Sequence, residues 1–291
     1  MDYLDRFSGL TQVDEYNTQN ALSLAIACSL AHTPDKDEVK DEDKEKYEQD
    51  YNETRKKIVE ESWKFKFHGF ISTLKSHDID TQCYVMSDDD NVVVVFRGSD
   101  SANDWLANFQ AVYDPGPLEG TWVHEGFQDA LYPGVLAITK LLDKALTNDK
   151  KLWITGHSLG GALCSLYAGM LIANSYSVYG VYTFGSPRPG NKDFRKALND
   201  KVEGPHYRVV NAGDIVPHVP PEPFYHHPGE HIILKDGTQE NSDRSWFEER
   251  IEALKIFVSD TINLLDVGDN HSLAAKNEGY IPQLIKDLEQ A

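Results

Sequence analysis

A serine hydroxyl becomes a useful nucleophile only when a base takes its proton and a carboxylate holds that base in one tautomer. The segment Thr155-Gly156-His157-Ser158-Leu159-Gly160-Gly161 offers such a serine, in a G-x-S-x-G turn. Leu152, Trp153, Ile154 and Thr155 run ahead of it, apolar and partly β-branched. Behind it Ala162, Leu163, Leu166, Tyr167, Met170 and Leu171 recur at helical spacing. A strand, a sharp turn and a helix in that order hold a serine in a strained, exposed position. Gly156 and Gly160 let neighbouring backbone approach the turn. The bare pattern also fits an ordinary glycine-rich turn, and the flanking strand and helix decide between the two readings.

On such a turn the partners follow in the order serine, acid, histidine. Asp214 lies just past the strand Tyr207-Arg208-Val209-Val210, in Asn211-Ala212-Gly213-Asp214. Sites form at that end of a parallel sheet. Asp193, Asp200 and Asp243 have no strand before them and read as surface residues. Five histidines follow Asp214: His218, His226, His227, His231 and His271. His218 is too close along the chain to reach back from its own loop, and His231 opens a strand. His226, His227 and Glu230 hint at a metal, but the spacing matches no zinc signature, so no metal and no cofactor are expected. His271, in the loop Val267-Gly268-Asp269-Asn270-His271-Ser272, is the best base; the competing reading is a surface histidine. A tetrahedral intermediate also needs two donors. One is the backbone N–H of Leu159. The other comes from the loop Phe96-Arg97-Gly98-Ser99, with Ser99 supplying it.

The elements that must position these groups alternate strand with helix, which argues for an α/β protein with a mostly parallel sheet covered by helices. Cys83-Tyr84-Val85-Met86 meets the run Asn91 to Phe96 across an Asp-rich turn, and the valine run suits a central strand buried on both faces. Trp63, Phe65 and Phe67 alternate as a strand would. Phe127 to Leu146 and Lys192 to Asn199 read as helices, Val178 to Phe184 as a strand, and His231 to Leu234 as an edge strand. Ala21 to Ala31 reads as a buried helix. Residues 35 to 62 mix acidic with basic residues, and Tyr47, Tyr51, Thr54 and Ile58 form one docking stripe on a solvated helix. No repeat or linker breaks the chain, so residues 1–291 are expected to form one domain.

The 291 residues carry 40% hydrophobic residues and a formal charge of −19. That charge disfavours nucleic acid and anionic membrane surfaces but not a neutral ester. No apolar run reaches the length of a transmembrane helix, about 18 residues. Three cysteines cannot make a full disulfide framework, and the first residues do not read as a signal peptide. A cytoplasmic location is therefore expected, with secretion by another route left open. The oligomeric state is not legible.

Several motifs in fixed order carry a resemblance. They are Val95-Phe96-Arg97-Gly98-Ser99, Trp105-Leu106-Ala107-Asn108, Val123-His124-Glu125-Gly126-Phe127 and the serine turn itself. Thr183-Phe184-Gly185-Ser186-Pro187-Arg188-Pro189-Gly190-Asn191 and Asn211 to Pro221 complete the set. From about residue 18 onward the chain resembles the class 3 lipases, the fungal-type lipases with their bacterial and plant relatives. The resemblance implies an α/β-hydrolase fold and hydrolysis of carboxylic esters, often acylglycerols at a lipid–water interface. It implies Ser158 as nucleophile, Asp214 as acid, His271 as base, and Ser99 and Leu159 as oxyanion donors. It also implies a short helical lid at Ser101 to Phe109 within a lid-and-hinge segment 100–120. Trp105, Leu106 and Phe109 would form the lid's apolar face, and Asp114-Pro115-Gly116-Pro117 a hinge or return turn. A permanently docked surface helix is the competing reading of that segment. The chain departs from the secreted fungal pattern in lacking a signal and disulfides, and in the long amphipathic stretch Trp246 to Leu265, which is either core or a wall of the acyl pocket. A feruloyl or aryl esterase, a phospholipase and a non-enzymatic lipase-like interaction protein remain alternatives.

Overall fold

The computed structural model describes residues 3–33, 39–40, 43–73, 81–98, 112–147, 149–234 and 268–290. Ser99, the lid segment with Trp105, Leu106 and Phe109, Asp243 and the stretch Trp246 to Leu265 lie outside the described residues.

Seven strands form one sheet: β1 (Lys66–Ser72), β2 (Gln82–Ser87), β3 (Asn91–Phe96), β6 (Lys151–His157), β7 (Gly180–Phe184), β8 (His206–Asn211) and β9 (Glu230–Leu234), in that spatial order. β1, β2 and β3 pair antiparallel, and every pair from β3 to β9 is parallel. A separate hairpin joins β4 (Tyr113–Pro115) to β5 (Trp122–His124). The return turn expected around Asp114 to Pro117 is the entry to this hairpin.

The sheet separates two apolar layers, and the valine run divides between them by the two-residue period of a strand. Val93 and Val95 face α1 (Thr18–Ala31) and the last helix, α6 (Tyr280–Gln290). Val92, Val94 and Phe96 face α3 (Glu125–Ala145), α4 (Leu159–Ala173) and α5 (Lys192–Asn199). The elements expected from the sequence at 21–31, 83–86, 91–96, 127–146, 152–155, 178–184, 192–199, 207–210 and 231–234 are all present to within a few residues.

Two expectations are corrected. Trp63 and Phe65 alternate with Phe67 but do not extend β1. Lys64 between them has a φ of 61°, and the amides of Trp63 and Phe65 donate to Ile58 and Val59 at 3.0 Å each, continuing a π-turn at Ile58–Ser62. Their apolar spacing serves packing instead, with Trp63 stacked on Phe7 at a centroid distance of 4.1 Å. On α2 (Lys44–Lys57) Thr54 is exposed, and Arg55 takes the buried stripe beside Tyr51.

Arg55 earns that position by closing α1. The last carbonyls of a helix lack partners within it and carry partial negative charge, and the last turn of α1 contains no basic residue. Arg55 donates from Nε to the Leu30 carbonyl and from one terminal nitrogen to the Ala31 carbonyl, each at 3.0 Å. Its remaining N–H groups reach Thr33 Oγ1 at 2.6 Å, Glu48 Oε1 at 2.9 Å and Asn52 Oδ1 at 2.5 Å. All five donors are thus used, and the plane packs over Phe70 at 4.1 Å. Burial lowers its pKa, and the Glu48 carboxylate opposes that shift.

Arg55→Leu would leave the Glu48 carboxylate without its cation and the Leu30 and Ala31 carbonyls without their side-chain donor. Urea unfolding is expected to register a loss of about 3–5 kcal/mol, the usual cost of breaking a buried charge network from one side. An unchanged unfolding midpoint would contradict the clamp.

Candidate active site

The turn after β6 is built from backbone packed on backbone. A Cβ on Gly156 would lie 2.1 Å from the Gly160 carbonyl oxygen, and one on Gly160 would lie 2.5 Å from the Arg97 carbonyl oxygen. Only glycine permits these approaches, so the ends of β3 and β6 and the start of α4 meet at one point. Ser158 stands there with φ 55° and ψ −133°, a combination that costs a non-glycine residue about 1–3 kcal/mol. Its amide is held by the Phe184 carbonyl at 2.9 Å, which ties the turn to the end of β7.

A continuous set of hydrogen bonds leaves Ser158. Its Oγ–H is 2.8 Å from His271 Nε2. His271 Nδ1–H is 2.9 Å from both carboxylate oxygens of Asp214. Asp214 follows β8, as the sequence suggests, and His271 closes a 3-10 turn at Asp269–His271. The structure brings these three residues together across 57 and 113 residues of chain. His218, His226, His227 and His231 make none of these bonds. His226 and His227 hydrogen-bond through Nε2 to the carbonyls of Pro223 and Pro217, at 2.9 and 2.7 Å. Among the described residues no group of three or more histidine, cysteine or acidic side chains is arranged to hold a metal.

The serine is not exposed. Ser158 has 2% of its surface accessible, Asp214 1% and His271 6%. The His271 turn closes over the hydroxyl, and Gly98 crosses so near that a Cβ there would sit 3.0 Å from Ser158 Cβ. Leu159 opens α4, where its backbone N–H has no carbonyl within the helix to bond.

Three groups that sequence reasoning missed complete the site. Tyr280, the first residue of α6, donates its hydroxyl to Asp214 Oδ2 at 2.5 Å and accepts from the Asn211 amide at 3.1 Å. Burial first, and then the adjacent Asp214 carboxylate, push its phenol well above 10, so it stays a donor. With the Val216 amide at 3.0 Å from Oδ1, Asp214 receives donors on both oxygens besides the imidazole. The Asn211 side chain binds the carbonyls of Asn270, at 2.9 Å, and Glu278, joining the acid's strand to the histidine's turn. His157 donates from Nε2 to the backbone carbonyl of His271 at 2.7 Å. Sequence reasoning did not single out Tyr280, and His157 entered it only as one letter of the serine motif. The signal available was a buried aromatic with a polar end, which needs a partner.

The family pattern described as Lipase (class 3) matches residues 93–224. The chain is 36% identical to the lipase of Rhizomucor miehei over 185 residues, 58% of this chain and 49% of that protein. It is 34% identical to secreted mono- and diacylglycerol lipase 1 of Fusarium solani, over 53% of this chain and 47% of that one. Among solved structures, lipase II from Rhizopus niveus aligns with a TM-score of 0.56 and 31% identity, over 62% of this chain and 71% of its own. The chain spans about half the length of the curated relatives it matches. The word "secreted" in the Fusarium name, and in that of a Malassezia globosa relative, overturns the cytoplasmic expectation. That expectation leaned on the missing disulfides, but a fold with two buried apolar layers needs no such staples, so their absence carries no information about the compartment. With the parallel sheet, the serine turn and these matches in agreement, the chain belongs to the class 3 lipase family of the α/β-hydrolase superfamily.

Proposed function

We propose that this chain is a serine carboxylic-ester hydrolase, a lipase acting on acylglycerols through an acyl-enzyme, and that residues 1–291 work as one domain. The observation that carries the reading is the unbroken series Ser158, His271, Asp214, with heavy-atom separations of 2.8 and 2.9 Å. These lie within the range for a general base and its orienting acid. Relatives named as lipases, including secreted mono- and diacylglycerol lipases, support the substrate class.

In the proposed mechanism His271 Nε2 takes the Ser158 proton as Oγ attacks the ester carbonyl. The resulting oxyanion accepts from the backbone N–H of Leu159 and from Ser99. His271 then gives its proton to the departing alkoxide, leaving an acyl group on Oγ. Water repeats the sequence: His271 deprotonates it, the acyl bond to Oγ breaks, and Ser158 regains its proton. Asp214 stays ionised throughout and stabilises the imidazolium, helped by the donors that hold its oxygens. Ser158 is 2% exposed, and we assign the admission of substrate to a lid and hinge at residues 100–120, with Trp105, Leu106 and Phe109.

Ser158→Ala is expected to lower kcat on short-chain p-nitrophenyl esters and on acylglycerol emulsions by at least about 10⁴-fold, with an unchanged melting temperature. Retained turnover would overturn the assignment, and turnover confined to phospholipids or feruloyl esters would redirect the substrate class. Tyr280→Phe deletes a donor to Asp214 and strands the Asn211 amide. It should cost about 1–3 kcal/mol of stability and lower kcat about tenfold; kinetics and melting read together would expose an error if neither moved. Rate measured against substrate concentration should jump above the solubility limit of a short-chain triacylglycerol. A smooth saturation curve through that limit would remove the mobile cover from the mechanism.

A further inference from the structure

The 3-10 turn that carries His271 is held to the body of the protein by three consecutive carbonyls. That of Asn270 accepts from the Asn211 side chain at 2.9 Å, that of His271 from His157 at 2.7 Å, and that of Ser272 from the Tyr280 amide at 3.0 Å. The middle bond differs from its neighbours, because its donor is the residue bonded directly to Ser158. One peptide unit therefore presents the nucleophile and grips the backbone of the base.

The rest of the His157 environment fits this role better than plain packing. Its acceptor is a carbonyl, which has no hydrogen to give, so Nε2 carries the proton and Nδ1 is bare. Nδ1 is buried with no hydrogen-bond partner among the described residues. A phenylalanine of similar shape would fill the space without burying an unpaired ring nitrogen, which is a cost to the fold. What a phenylalanine would not do is donate to His271. The two imidazoles also lie against each other at a tilt, with centroids 4.7 Å apart and planes 33° apart. On the far side His32 meets the His157 ring edge-on at 6.3 Å. Burial, and then the neighbouring His271, push the His157 pKa well below 6.5, and burial with Arg97 beside it pushes that of His32 down to about 3. His271 has the Asp214 carboxylate against its ring to stabilise its cation.

We infer that His157 is a positioning residue for the hydrolysis: it fixes the backbone of the base relative to the nucleophile and keeps a neutral ring against the imidazolium that forms. The inference rests on the proposed role of Ser158 and His271. It assigns His157 no contact with substrate. It does predict that loss of the N–H to the His271 carbonyl slows chemistry while leaving ester binding alone, since a displaced base raises the barrier rather than the binding energy.

The test compares His157→Phe, which keeps a flat ring, with His157→Gln, whose amide nitrogen has about the reach of Nε2. Hydrolysis of p-nitrophenyl butyrate is measured per active site, with sites counted by stoichiometric labelling with diethyl p-nitrophenyl phosphate. Counting sites separates slow chemistry from a smaller folded fraction. The expected result is a kcat per site lowered about 10- to 100-fold in the phenylalanine variant, with KM within about twofold. Glutamine should restore most of that loss. If the phenylalanine chain does not fold, His157→Asn makes the same comparison, because its shorter amide falls short of the carbonyl. A kcat per labelled site equal to wild type in His157→Phe, or no recovery in His157→Gln, would overturn the positioning role. If wild type neither hydrolyses the ester nor takes the label, the reading of Ser158 itself fails, and that outcome is distinct from either of the others.

Discussion

Two backbones touch where β6 passes into α4, and most of what this protein could do depends on that contact. Removing the Cβ from residues 156 and 160 lets a helix start directly on the end of a strand, with the carbonyl of Arg97 closing in from β3. The same crowding forces Ser158 to a positive φ, sets its amide under the end of β7 and brings Gly98 alongside. A fold that assembled the seven strands but relaxed this point would keep its two apolar layers and lose the geometry that joins Ser158 to His271. The sheet is thus less a container for the site than a frame that presses three chain segments together.

Around that point the polar groups form a closed set. Asp214 is almost fully buried, and such a carboxylate is tolerable only if its charge is met by donors. Tyr280, Val216 and His271 supply them, while Asn211 links the acid's strand to the turn bearing the base. These contacts fasten α6 to the sheet beside its apolar face, so the last helix serves position as well as packing. In the same layer Arg55 caps α1, whose final turn delivers His32 to the edge of the His157 ring. Clamp and site are joined through a single helix.

How far the site was readable from sequence depended on how local each signal was. Ser158 and Asp214 announce themselves through neighbours: glycines that allow a sharp turn, and a strand that ends just before an acid. His271 could be picked because the other four histidines downstream sit in contexts that suit them less well. Tyr280, Asn211 and His157 act through contacts across the fold, and nothing near them in sequence distinguishes a hydroxyl that meets a carboxylate from one that meets water. The same limit explains Arg55. Charged residues dominate residues 43 to 61, and helical spacing alone put Thr54 on the inner face, because the partner carbonyls of Leu30 and Ala31 are remote in sequence. Trp63 and Phe65 misled in the other direction, with a strand-like alternation interrupted by the positive φ of Lys64. The serine's burial was equally illegible, since the turn motif describes what the backbone does beneath Ser158 and not what covers it.

The dihedral angles of Ser158 set fold and chemistry against each other at one residue. A glycine there would meet no steric objection to φ 55° and ψ −133°, and would leave His271 without a hydroxyl to bond. Under selection for folded protein alone, position 158 would drift toward glycine and the elbow would survive as scaffold. The strain at position 158 is therefore the cost of keeping a hydroxyl where glycine would fit more easily, and it is held in the backbone rather than in any side-chain contact.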